Sequence, residues 1–185
     1  MTKLLALSGS LRAGSFNTAL VDTLADLAPD GVEVTRHPIG DLPLFDPDLS
    51  GPALAPVERL KAAITAADGV IIATPEYNYG VPGPLKNAID WGSRPGYRSP
   101  FAGKPVAILG ASGGGSGAVR AQGQLKQVLL GMIAQVFPFP EVAVTHAGDK
   151  IADGRVTDEA TREVLTRFIG SFSKWAPQVP RPTQD

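Results

Sequence analysis

An alternation between two apolar periods constrains this chain more than any other feature. Four short apolar runs, Lys3 to Leu7, Val32 to His37, Val70 to Thr74 and Val106 to Gly110, are bounded by Gly, Pro or polar residues. Three of them are almost unbroken, the pattern of strands covered on both faces. Between the runs the apolar residues recur at helical spacing. Leu20, Leu24 and Leu27 form one set, Val57, Leu60 and Ile64 a second, Leu125, Val128, Leu129 and Met132 a third, and Leu165, Phe168, Ile169 and Phe172 a fourth. Each set lines one face of a helix. A short helix is expected over Pro84 to Trp91, and the last helix is expected to be capped by Thr157, with Asp158 and Glu159 in its first turn. A fifth strand falls between Gln135 and Thr145, where Phe137-Pro138-Phe139-Pro140 argues for an edge strand with a break. Strands alternating with helices require right-handed crossovers and a parallel sheet. The expected fold is therefore α/β: a doubly wound, five-stranded parallel sheet in the order 2-1-3-4-5, with helices on both faces.

A single domain over residues 1–175 accounts for this pattern, and the chain of 185 residues is long enough to bury roughly 70% of its unfolded surface. The proline-rich tail, 176–185, is expected to be unfolded or draped on the surface. Lys plus Arg number 17 against 18 for Asp plus Glu, so no global charge favours nucleic acid or anionic lipid. No cysteine is present, which excludes disulfides, thiolate metal sites and a cysteine nucleophile. Two histidines, His37 and His146, lie far apart in the sequence and do not form a ligand cluster. No apolar run approaches the ~20 residues of a membrane span, and Met-Thr-Lys leads straight into the first strand. A soluble cytoplasmic protein is the expectation.

Ligands of such sheets bind at the carboxyl ends of the strands, near the point where strand order reverses. Three loops there are unusual in composition: Ser8 to Asn17, Pro75 to Gly83 and Ala111 to Gly117. The first offers the hydroxyls of Ser8, Ser10 and Ser15, the Arg12 guanidinium, the Asn17 amide and main-chain N–H groups at a helix start, where the macrodipole favours an anion. It contains neither G-x-x-x-x-G-K-[ST] nor G-x-G-x-x-G. A loop rich in side-chain donors suits a terminal monophosphate, as in FMN, better than the buried diphosphate of NAD or FAD. Ser8 can simply end its strand, and Ser15 can cap the helix while also serving a phosphate. The long connection from Pro38 to Pro56 reads either as a lid or as a surface loop.

Four segments carry a family resemblance. They are Gly-Ser-Leu-Arg-Ala-Gly-Ser-Phe-Asn at 9–17, Pro-Glu-Tyr-Asn at 75–78, Pro-Gly-Pro-Leu-Lys-Asn-Ala-Ile-Asp-Trp at 82–91 and Gly-Ala-Ser-Gly-Gly-Gly at 110–115. Together they resemble the NAD(P)H-dependent FMN reductase family, flavodoxin-like enzymes that include quinone and chromate reductases. The resemblance implies non-covalent FMN, its phosphate held by Ser10, Arg12, Ser15 and Asn17, with Phe16 also a cofactor-binding residue. It sets Pro75, Glu76, Tyr77 and Asn78 against the flavin ring, and Ser112 and Gly113 at its border.

Each of these residues has a plainer role open to it. Tyr77 could be structural, the Gly-rich loop could be a hinge, and Glu76 suits an orienting or interface carboxylate better than a general acid, because hydride transfer needs stacking and orientation. In the glycine-rich loop small residues stand where bulkier ones are commoner in the family. The resemblance further implies a homo-oligomer, a dimer or a pair of dimers, with Trp91, Arg120 and Gln122 as candidate subunit contacts.

The function expected is an FMN-dependent oxidoreductase that takes hydride from NADH or NADPH and passes electrons to a quinone, free flavin or other small acceptor, by ping-pong kinetics. The alternative is a flavodoxin-like electron carrier or an FMN-binding redox sensor. A carrier would be strongly acidic, and a formal charge of −1 gives little steering towards a basic partner.

Overall fold

The structure is a computed structural model that describes residues 1–180. Its central strands, β1 (Thr2–Ser8), β3 (Gly69–Thr74) and β4 (Pro105–Ala111), are buried along nearly their whole length. Strand β2 (Val32–His37) reads Val-Glu-Val-Thr-Arg-His and is half exposed, as an edge strand of alternating polarity should be. All pairings among them are parallel: Leu4 lies beside Val34 on one side and Gly69 on the other, and Val70 lies beside Val106. The order is β2-β1-β3-β4-β5, the doubly wound arrangement expected.

The fifth strand is two pieces. Gln135–Val136 (β5) pairs with Pro105–Val106, and Val142–Val144 (β6) pairs with Leu109–Ala111. Pro138 and Pro140 have no N–H for the ladder, so the chain between the pieces leaves the sheet. It carries Phe137 and Phe139 onto the last helix, where their rings lie 5.3 Å from Phe172 and 5.6 Å from Phe168.

Because strand side chains alternate between faces, the sheet has two cores. Leu4, Ala6, Ile71 and Leu109 face α1 (Phe16–Asp26) and α5 (Glu159–Trp175). Leu5, Leu7, Ile72 and Ile108 face α2 (Ala55–Ala66), α3 (Gly83–Gly92) and α4 (Val119–Gly131). Leu165, Phe168, Ile169 and Phe172, the apolar set of the last helix, are all buried.

The cap of the last helix is not the expected one. Helix α5 is capped by Asp158 and not by Thr157. The Asp158 carboxylate accepts from the Thr161 hydroxyl at 2.6 Å and its N–H at 2.8 Å, and these bonds hold the carboxyl below its usual range. Thr157 instead directs its N–H and hydroxyl to the Lys150 carbonyl, because a hairpin of β7 (Ile151–Ala152) and β8 (Arg155–Val156) closes the chain there. That hairpin turns on Asp153 and Gly154, at φ 49° and 71°, an Asp-Gly signal flanked by strands too short to show a period.

The connection 38–56 is a packed surface loop. Its Pro43 carbonyl accepts from Trp91 Nε1 at 2.8 Å and from Asn87 Nδ2 at 2.9 Å, and Phe45 meets the Trp91 ring edge-on at 4.8 Å. Trp91, a candidate subunit contact, is thereby buried within its own chain. In the tail, Ala176–Gln178 form a 3-10 turn with Ala176 buried, while residues 181–185 lie outside the described residues.

Candidate active site

At the carboxyl end of the sheet the β1, β3 and β4 loops are joined by hydrogen bonds and close packing. Gly9 N–H donates to the Ala73 carbonyl at 2.8 Å, and a Cβ at Gly9 would stand 3.0 Å from both Pro75 and Leu85. A residue without a side chain lets the β1 loop lie against the β3 loop. Ser10 Oγ and Tyr77 Oη then come within 3.1 Å, bridging the two loops.

Within the β1 loop, Ser8 ends its strand and its hydroxyl is 2.8 Å from that of Thr18. Ser15 is the N-cap of α1, accepting from Thr18 N–H at 3.2 Å. Capping uses one of the helix's first N–H groups, and the first turn still presents others without intrahelical partners. Arg12 is exposed, with its guanidinium 5.0 Å from the centre of the Phe16 ring and no ion pair among the described residues. Phe16 in turn packs beside Gly113 and Gly148, whose missing Cβ atoms would lie 3.6 and 3.8 Å from its ring.

The Asn17 side chain is engaged within the chain. Its Nδ2 donates to the Ala111 carbonyl at 3.1 Å, its Oδ1 accepts from Ala111 N–H at 3.0 Å, and the residue is only 2% exposed. The side chain ties α1 to the end of β4, so towards the loop Asn17 presents its main-chain N–H rather than its amide.

The β3 loop is a two-residue hairpin. Tyr77 and Gly80 exchange N–H···O bonds of 3.1 and 3.0 Å across Asn78 and Tyr79, which sit at φ 48° and 67°. Left-handed backbone is natural for Asn and strained for Tyr, and helix α4 holds the turn in place. Gln124 Nε2 donates to the Tyr79 carbonyl at 3.0 Å, and Gln124 Oε1 accepts from Val81 N–H at 3.3 Å. The Arg120 guanidinium lies 4.1 Å from the Tyr79 ring centre, a cation–π contact. Neither Gln124 nor Tyr79 was singled out from the sequence. The one available signal was that Arg120 and Gln124 stand four apart, on one helix face.

Glu76 is an orienting carboxylate. Its side chain is 5% exposed and accepts from Arg120 Nε at 2.6 Å, Arg120 N–H at 3.1 Å and Ala121 N–H at 3.4 Å, with a terminal Arg120 nitrogen also paired to it. It fills the anion position at the N-terminus of α4 and anchors the turn there. Arg120, a candidate subunit contact, is thus engaged within the chain.

In the glycine-rich loop Ser112 is a scaffold. Its hydroxyl donates to the Gly114 carbonyl and accepts from Gly117 N–H, both at 2.9 Å. Gly117 has φ 55°, and a Cβ on it would stand 2.7 Å from Ala143, so glycine is required there. Gly113 is exposed. Gln122, the other candidate contact, is 1% exposed and donates to the Gly117 and Val142 carbonyls at 3.2 Å, which makes it a core residue. His37 and His146 are at strand ends, and no cluster of metal ligands exists among the described residues.

A parallel sheet of order 2-1-3-4-5 with helices on both faces, its β1, β3 and β4 loops gathered at one end, defines a flavodoxin-like α/β protein. Among the described residues no helix is long and apolar enough to cross a membrane. Residues 2–149 match the family described as NADPH-dependent FMN reductase, and the chain belongs to that family. It is 42% identical over 175 residues to an NAD(P)H-dependent FMN reductase of Pseudomonas aeruginosa, with 94% of each chain covered. It is 43% identical over 182 residues to a quinone reductase of Escherichia coli K12, with 96% of each covered. Among solved structures, the flavoenzyme NAD(P)H:(acceptor) oxidoreductase FerB of Paracoccus denitrificans superposes with a TM-score of 0.88 at 40% identity, covering 97% of this chain and 99% of that one.

Proposed function

We propose that this protein binds FMN without a covalent link and uses it to pass electrons from NADH or NADPH to a quinone, a free flavin or another small acceptor. The observation that carries this reading is the contrast between two helix N-termini. That of α4 is filled by the Glu76 carboxylate, while that of α1 is bordered by Ser10, Arg12 and Ser15 and has no acidic partner among the described residues. A phosphate monoester fits the second and is repelled from the first.

In this reading Ser10, Arg12, Ser15 and the main-chain N–H groups of Phe16 and Asn17 hold the phosphate. The Pro75–Asn78 segment supplies a fixed wall and main-chain donors and acceptors for the ring, and exposed Gly113 lets the backbone come close to it. Bound FMN would supply a two-electron hydride acceptor that the protein's own side chains cannot provide. The chain's part is alignment. Glu76, Arg120 and Gln124 hold the turn, so its geometry is set before the ligand arrives. With FMN bound, donor and acceptor would use the same site in turn, which would give ping-pong kinetics. A homo-oligomer belongs to the same reading, supported by the exposed aromatic rings of Tyr79 and Tyr97 on the loops after β3 and α3.

The test is an anaerobic visible spectrum of the FMN-loaded protein before and after NADPH or NADH. Bleaching within seconds is the expected result. Bound flavin that neither nucleotide bleaches would favour an electron carrier or sensor, and failure to bind flavin would remove the phosphate-loop argument.

Tyr77 is 49% exposed and its hydroxyl lies 3.1 Å from Ser10 Oγ, so its ring is placed to wall the flavin. Tyr77→Ala is expected to shift the bound-flavin absorbance bands and to lower turnover. An unchanged spectrum and rate would leave Tyr77 a purely structural role.

A further inference from the structure

A groove of about 760 Å³ lies between α5 and β6, the strand that pairs only with β4, and it shares no lining residue with the β1, β3 and β4 loops. One wall, Phe139, Pro140 and Val142, is apolar. The Phe139 ring is held by Phe168 at 5.6 Å and by stacking on Phe137 at 5.3 Å, so this wall is fixed by the aromatic cluster of the core. The other wall is one face of α5. Arg167, Ser171 and Lys174 stand at i, i+4 and i+7 and so form a row of donors, roughly 10 Å from first to last. None of the three side chains makes a hydrogen bond or ion pair among the described residues. Gly170 leaves the helix bare beside the row, because a Cβ there would meet nothing within 4 Å. Glu141 is the one carboxylate among the lining residues, and Lys126 already holds it at 2.7 Å.

We propose that this groove is a ligand site separate from that of the flavin, and that it takes a small amphipathic anion, a flat apolar body carrying one carboxylate. The two walls divide the ligand between them. The apolar body lies on Phe139, Pro140 and Val142, and the carboxylate meets the Arg167 guanidinium, the Ser171 hydroxyl and the Lys174 ammonium. Inorganic phosphate would satisfy the donors and leave the apolar wall in water. A neutral apolar molecule would cover that wall and take water from the donors without replacing it. Lys174 stands in the last turn of α5, where a cation also complements the helix dipole, but Arg167 is in the middle of the helix and has no such role. The volume falls within the ~300–1,000 Å³ of small-molecule sites.

The experiment is calorimetric titration of the full chain, in excess FMN, with 2-naphthoate and with its uncharged counterpart 2-naphthalenemethanol. Naphthoate is expected to bind at one site per chain. Binding should weaken at least about fivefold for the alcohol and for Arg167→Ala, the scale of one partly exposed charged contact. Gly170→Leu should abolish it, because the new side chain fills the groove. That variant replaces a helical glycine by a better helix former, so the fold is kept. No saturable binding of naphthoate, equal binding of the alcohol, or binding that either variant leaves unchanged would overturn the proposal. Sedimentation of the native and Gly170→Leu chains at rising concentration tests the other occupant. Self-association that Gly170→Leu abolishes would give the groove to a second copy of the chain and overturn the proposal, whereas the same oligomeric state in both leaves the groove to the small anion.

Discussion

Replacing Arg12 by alanine is expected to raise the FMN dissociation constant at least about tenfold while leaving the fold of the flavin-free protein unchanged. Arg12 is exposed, and its guanidinium rests on the Phe16 ring with no carboxylate paired to it among the described residues. Its removal therefore opens no cavity and strands no buried charge. What is lost is a charge-assisted contact to a dianion, about 1.5–3 kcal/mol, and ~1.4 kcal/mol is already tenfold in affinity. Arg12→Lys should recover part of the loss, because an ammonium keeps the charge without the planar fork and stacks poorly on Phe16. Titrating flavin-free protein with FMN and following flavin fluorescence measures both variants. A dissociation constant unchanged by Arg12→Ala would remove the residue from the phosphate site.

Much of the architecture was legible because it rests on local patterns. The runs Val70 to Thr74 and Val106 to Gly110 are short, apolar on both faces and bounded by turn residues, as covered parallel strands are. The three loops follow from that, since a doubly wound sheet gathers them at one end. What stayed hidden depends on partners distant in sequence. Asn17 finds its hydrogen bonds on Ala111, 94 positions away, and nothing in either segment announces the other. Trp91 and Gln122 carry polar groups that could equally face a second subunit. Their burial was decided by Pro43, in a connection without a regular period, and by Val142, in the second piece of a broken edge strand.

Glu76 lies between these cases. Its unsuitability as an acid was an argument from chemistry, whereas its hold on α4 depends on where that helix begins. Ala118 starts α4 from a left-handed conformation, φ 63°, that few residues other than glycine or asparagine would advertise. The expected cap at Thr157 failed for a nearer reason. Thr157 and Asp158 are both good caps, and the choice between them was made by the Lys150 carbonyl across a hairpin of two-residue strands.

Asn17→Ala gives the second large effect, and it separates two roles that the sequence could not. If the Asn17 side chain held the phosphate, alanine would weaken FMN binding and leave the flavin-free protein as stable as before. The observed bonds demand the reverse emphasis. Alanine removes both partners of the Ala111 main chain at the end of a buried strand, where water has little access. Each buried main-chain group left unsatisfied costs about 1–3 kcal/mol, so a loss of about 2–4 kcal/mol is expected without any ligand. For a chain of this size that corresponds to a fall in Tm of roughly 5–15 °C, read by thermal unfolding of the flavin-free protein. Affinity for FMN should fall as well, because α1 and the Gly-rich loop lose the tie that sets their spacing. Asn17→Asp restores the acceptor for Ala111 N–H but sets a carboxylate against the Ala111 carbonyl, so it should recover little. A flavin-free Asn17→Ala protein that melts with the native one, while its FMN affinity drops, would return the side chain to the phosphate.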